Sequence, residues 1–118
     1  MSKILKKRFD AADETRSIPK GKIDVVKIDD HEVLRVTYEP GWRWSESIGP
    51  MVKTESCRLH HLIYFISGRF AVRMDDGTTL EFGPGDVGHI PPGHDGWTVG
   101  NEPCVGVDFG GVSIHSKR

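Results

Sequence analysis

The chain has 118 residues, with 16 Lys or Arg against 17 Asp or Glu and a formal net charge of −1. A chain of this length buries roughly two-thirds of its unfolded surface, enough for one core in one domain, and the balanced charge excludes a nucleic-acid or membrane partner selected by bulk charge. Two cysteines, Cys57 and Cys104, are too few for a disulfide framework, and there is neither a run near the ~20 apolar residues of a spanning helix nor a signal-peptide core, so a cytoplasmic setting is expected.

Residues 1–20 are polar and lack alternation, and they read as an N-terminal arm preceding a single domain over 21–118. Lys3, Lys6, Lys7 and Arg8 are interleaved with Ile4, Leu5 and Phe9, which suits either a short amphipathic arm or a solubilising end. "KIDVVKI" (22–28), the turn signal "DDHE" and "VLRVTYEPG" (33–41) form a hairpin pattern, with Leu34, Val36 and Tyr38 alternating against Val33, Arg35 and Thr37. In "RFAVRMDDGTTLEF", Phe70, Val72 and Met74 share an inward face, Asp76-Gly77 supplies the turn, and Leu80 and Phe82 resume the alternation. "FGPGDVGHIPPGHDGW" (82–97) cannot be a helix interior, because Pro removes a donor and Gly adds unfolded-state freedom. It reads as turn, short strand, turn, then a strand opening at Trp97. "CVGVDF" closes the series, with Val105, Val107 and Phe109 opposite Cys104, Gly106 and Asp108. About seven to nine short strands with no internal helix indicate an all-β sandwich or barrel.

Two stretches together resemble the cupin superfamily. The first is "PGWRWSES" (40–47) followed by "HLIYFISGRFAVRMDDG" (61–77), and the second is "GPGDVGHIPPGHDGW" (83–97). The Gly68 turn, the Gly85-Asp86 turn and the Pro91-Pro92-Gly93 turn fall at the spacing of the family's two motifs, over about residues 33–109. The resemblance implies a jelly-roll β-barrel (double-stranded β-helix), a divalent transition metal, a small-molecule ligand and a homodimer.

The usual ligand types depart from that pattern. With the first motif started at Gly41, its two histidine positions fall on Ser47 and Gly49, its glutamate on His61 and the second motif's histidine on Gly96. Counting back from His61 instead places Glu55 and Cys57 on the histidine pair, and both can ligate a transition metal. A turn between Cys57 and His61 would let them face each other. A straight strand over 57–66 would hold them about 13 Å apart, and "CRLHH", with no Gly, Pro, Asn or Asp, leans toward the strand.

The candidate metal ligands are therefore His61, Cys57, His94 and Glu55. Each has a structural alternative: a core histidine held by one hydrogen bond, a small buried thiol, or a turn histidine fixed beside Asp95. Trp42, Trp44, Phe65 and Trp97 are the candidate substrate-binding residues, as an aromatic rim or as packing over the barrel end. His60, His89, His31 and His115 are read as outward, strand, loop and tail residues. A nucleophile elbow, a Walker loop and a dinucleotide-binding glycine set are absent.

Two functions follow as expectations. One is a metal-capable small-molecule pocket (Fe, Ni, Mn or Zn) with the ion acting as a Lewis acid. The other is a non-enzymatic binding module with a degenerate metal site.

Overall fold

In the computed structural model, residues 3–53, 56–57 and 59–109 are described. Nine strands account for most of them: β1 (Glu14–Ile18), β2 (Gly21–Ile28), β3 (His31–Tyr38), β4 (His61–Ser67), β5 (Arg69–Met74), β6 (Thr79–Phe82), β7 (Val87–Ile90), β8 (His94–Val99) and β9 (Cys104–Asp108). They form a six-stranded sheet in the order β1-β2-β3-β9-β4-β7 and a three-stranded sheet in the order β6-β5-β8. Every pairing is antiparallel.

The alternation read from sequence matches burial on β4, while on β5 Ala71 is buried beside Phe70 and Val72 and on β6 Leu80 is exposed. Val36 on β3, Ile63 and Phe65 on β4, and Phe70 and Val72 on β5 are buried together. Phe65 of the larger sheet stacks on Phe70 of the smaller at 6.0 Å between ring centres. Burying side chains of this size stabilises by about 1.5–3 kcal/mol each, which holds the two inner faces together. Arg69 and Arg73 point outward to solvent, as period two requires of residues flanking Phe70 and Val72.

The chain reverses where the sequence allows it. The β2–β3 hairpin closes through Asp29-Asp30, with Ile28 opposite His31 and Asp29 at φ 54°; Asp tolerates this left-handed region better than most residues. Gly68, between β4 and β5, has φ +77°, and a Cβ there would meet the Pro103 carbonyl oxygen at 2.2 Å. Only glycine fits both constraints.

Among the described residues the two sheets pack as a jelly roll but are not closed into a barrel, and the strand expected to open at Trp97 opens at His94. Three further features differ from the sequence expectations. Part of the polar 1–20 segment forms β1, paired with β2 from Glu14↔Val25 to Ile18↔Gly21. Two single-turn helices, α1 (Trp44–Ser47) and α2 (Gly49–Val52), occupy the segment expected to lack helix; one turn is too short to show a 3.6-residue period. The straight strand over 57–66 is also not formed. β4 begins at His61, and Cys57 instead pairs with the start of β8, its N–H donating to the His94 carbonyl at 2.6 Å and its carbonyl accepting from Gly93 N–H at 2.7 Å. Those bonds satisfy the Cys57 backbone away from the β4 line, which overrides the local propensity of "CRLHH".

Candidate metal centre and apolar pocket

Three elements converge at one end of the space between the sheets. β4 opens with His61, β8 opens with His94, and the bridge between Cys57 and His94 brings the thiol against both. The Cys57 Sγ lies 3.6 Å from His61 Nε2, and the His61 and His94 rings are 5.2 Å apart at 71°. One donor atom from each of Cys57, His61 and His94 lies within 4.8 Å of the others. Cys57 and His94 are buried and His61 is half-buried.

The outer nitrogen of each ring is already committed. His61 Nδ1 is 2.7 Å from Asp108 Oδ2, and His94 Nδ1 is 2.7 Å from the Pro91 carbonyl oxygen. A carbonyl only accepts, so His94 donates from Nδ1, which leaves Nε2 directed to the thiol. Asp108 fixes His61 in the same sense. Histidines that bind metals are oriented in this way, with the second N–H given to a carboxylate or a backbone carbonyl.

The charges at this end are coupled. Burial pushes the Cys57 thiol up, but hydrogen bonds from His61 and His94 outweigh it and bring the group to about 6. Burial pulls His61 down, while its bonds to Asp108 and Cys57 raise it to about 9. The arrangement is a thiolate facing an imidazolium that is backed by a carboxylate. Cys104 has no such neighbours, and burial alone pushes its thiol up to about 12.

From this polar end runs a cavity of about 330 Å³. Trp42, Trp44 and Phe65 line it, with Tyr38 and Phe70 between them. Trp42 is 3.9 Å from Tyr38 in a stacked pair. The 42–45 segment is held over the cavity by its backbone: Thr98 N–H donates to Trp42 O at 3.0 Å, and Ser45 N–H donates to Asp95 Oδ1 at 3.0 Å. Trp97 does not line the cavity. Along β8 the inward positions are His94, Gly96 and Thr98, and the Trp97 ring lies on the other face beneath the Arg43 guanidinium, 4.3 Å away.

Among the candidate ligands, then, Cys57, His61 and His94 are brought together, while Glu55 lies outside the described residues. Gly96, the position of the second motif's histidine, also lines the cavity, but a Cβ there would meet the Phe70 ring at 2.8 Å. His94 lies two residues earlier on the same face of β8. Asp108 was not singled out from sequence. Its signal was its place on the face of β9 shared with Cys104 and Gly106, all three buried. His60 and His89 form a separate ring contact at 4.6 Å.

Comparison with known proteins places this site in context. The family model described as EutQ-like cupin domain matches residues 34–105. No curated protein matches. Among solved structures, a Rhizobium leguminosarum protein of unknown function aligns with TM-score 0.65 and 21% identity, over 91% of this chain and 95% of that one. The polyketide cyclase RemF from Streptomyces resistomycificus aligns with TM-score 0.64 and 17% identity, over 90% of this chain and 78% of that one. An oxalate decarboxylase from Lactobacillus farciminis aligns with TM-score 0.59 and 21% identity, and there 80% of this chain spans 30% of the longer protein. At these identities the likeness concerns the fold.

Proposed function

The chain belongs to the EutQ-like cupin family, and on that premise we propose that it is a metal-dependent small-molecule protein whose ion is held by Cys57, His61 and His94. The observation that carries this reading is the pair of histidines whose Nδ1 atoms are tied to Asp108 and to the Pro91 carbonyl, leaving Nε2 to the thiol cluster. Three protein donors leave room for water or substrate, as in catalytic rather than structural sites. One thiolate with two imidazoles suits Zn(II), Fe(II) or Ni(II) better than Mn(II). A bound ion would supply Lewis acidity toward an oxygen of the occupant. The chain's own contribution is to orient both imidazoles, to carry the negative charge of the thiolate, and to exclude water with the Trp42 and Trp44 walls.

Solved relatives of this fold include a polyketide cyclase and a sugar phosphate isomerase, so the reaction class is set by the pocket and not by the fold. A binding module without metal is the second reading, supported by the apolar character of most of the cavity wall. Elemental analysis of untagged protein separates the two. Near-stoichiometric metal, lost in His61→Ala and in His94→Ala, is expected. A wild type that neither carries nor takes up Zn, Fe or Ni retires the metal reading and leaves the module.

The homodimer belongs to the same proposal. Tyr64 on β4 lies opposite Val87 on β7 and Val107 on β9, forming an apolar row on the outer face of the larger sheet, with Tyr64 and Val87 exposed. A second copy packed there would cover it. Tyr64→Lys is expected to shift the sedimentation of the protein from dimer to monomer, and an unchanged dimer would place the contact elsewhere.

A further inference from the structure

The composition of the cavity says what its occupant is made of. At the inner end stand Cys57, His61 and His94. Away from them, the wall is built from both sheets and from the 42–48 segment, with aromatic rings from Tyr38, Trp42, Trp44, Phe65 and Phe70. The charged residues of the lining are few, and each is accounted for. Asp108 is bound to His61. Arg16 is exposed, and its guanidinium is held by Glu14 at 2.8 Å. Glu32 sits near Arg16 on the neighbouring part of the larger sheet and is half-exposed. Among the described residues, no lysine and no other arginine lines the cavity.

That wall is wrong for a small polyanion. A dicarboxylate or a sugar phosphate brought into it would lose its hydration at several oxygens and recover few partners, at the thiol–imidazole end and at Trp42 Nε1, a buried donor without a hydrogen-bond partner among the described residues. A volume of about 330 Å³ is at the small end of the range for organic ligands, which suits one ring and its substituents. The rings of Tyr38, Trp42, Phe65 and Phe70 already stack on one another, and an aromatic body that joins this cluster by edge or face gains beyond the area it buries.

We infer that the occupant is a single-ring aromatic molecule with one oxygen-donor head directed to Cys57, His61 and His94. This rests on the metal-pocket reading for the head group, while the aromatic body follows from the wall alone.

The test is a titration of the Co(II)-loaded full chain with 4-methylbenzoate, acetate and oxalate, read in the visible bands of thiolate-bound cobalt. The first two probes share one carboxylate and differ only in the body, so their ratio isolates the wall. We expect 4-methylbenzoate to bind at least tenfold more tightly than acetate and than oxalate. Equal or tighter binding of acetate or oxalate overturns the inference. If the protein takes up no cobalt, the metal reading fails visibly. The same three probes are then followed by tryptophan fluorescence on the metal-free Trp97→Phe chain, which keeps Trp42 and Trp44 as its fluorophores; there the tenfold preference for the aromatic probe still supports the aromatic body and its absence overturns it.

Discussion

Cys57 concentrates the chemistry of the site in one side chain. Its thiol is only 3% exposed as a residue, and burial alone would keep it protonated, as it does Cys104. The difference is the company of two imidazoles, which lowers the group to about 6 against the usual 9. In metal-free protein, thiolate absorbance near 240 nm should therefore rise with a midpoint of about pH 6 and vanish in Cys57→Ser. Cys104, pushed up to about 12, adds nothing across the neutral range. Asp108→Asn removes the carboxylate that favours the His61 imidazolium, so the midpoint should move upward; an unmoved midpoint would show that Asp108 does not act through His61. The sequence exposed this group only in part. Counting back from His61 set Cys57 on a ligand position, yet no turn residue in "CRLHH" announced the reversal, because the bonds that bend the chain come from Gly93 and His94, far away in sequence. Asp108 was hidden for a similar reason: an acidic residue ending an apolar strand looks like a strand terminus until the pairing of β9 with β4 sets Asp108 opposite Ile63, two residues from His61.

At the scale of elements, β1 had no hydrophobic signature because it is an edge strand whose described residues are nearly all exposed. It is held by polar groups and by its ladder with β2. Thr15 on β1, Asp24 on β2 and Arg35 on β3 lie side by side across the sheet in the pairs Thr15↔Asp24 and Asp24↔Arg35. Thr15 Oγ1 donates to Asp24 Oδ1 at 2.9 Å, and Arg35 Nε donates to Asp24 Oδ2 at 3.1 Å. Arg35 also reaches Asp10 at 3.3 Å and lies over the Phe9 ring at 5.3 Å, which fastens the Phe9–Ala11 turn to the same three strands. Burial pushes the Asp24 carboxyl up, but the bonds from Thr15 and Arg35 outweigh it and hold the group below its usual 3.8. A carboxyl depressed in the folded state stabilises above its unfolded value, and the stabilisation is lost as pH falls through the folded one. Asp24→Asn should therefore lower the unfolding free energy by about 1–2 kcal/mol at pH 6, measured by urea denaturation. The gap between wild type and variant should close as the pH is taken below 3.8. A gap that is constant with pH would assign the effect to packing and not to charge. The hairpins, by contrast, were legible from sequence because their turns carry their own chemistry, in Asp29-Asp30 and Asp76-Gly77.

The whole molecule gives the candidate centre a mechanical meaning as well as a chemical one. His61 opens a strand of the six-stranded sheet, His94 opens a strand of the three-stranded sheet, and Cys57 is bridged to His94 through the backbone. An ion held by all three would tie the two sheets at one end of the core, where the wall between them is otherwise interrupted by the cavity. Binding to the folded chain alone adds about 2.7 kcal/mol of stability at a hundredfold excess over the dissociation constant, which for a domain of this length raises Tm by about 8–15 °C. Zn(II) added to metal-free protein should produce a rise of that order in calorimetry. The rise should be absent in His94→Ala, whose β8 backbone bonds to Cys57 do not depend on the imidazole. The same rise in wild type and variant would mean that zinc binds elsewhere on the surface. No rise in either would mean that the folded chain does not bind zinc, and that the sheets are joined by contacts such as Phe65 on Phe70 and Phe82 and the Thr98–Tyr38 hydrogen bond without an ion.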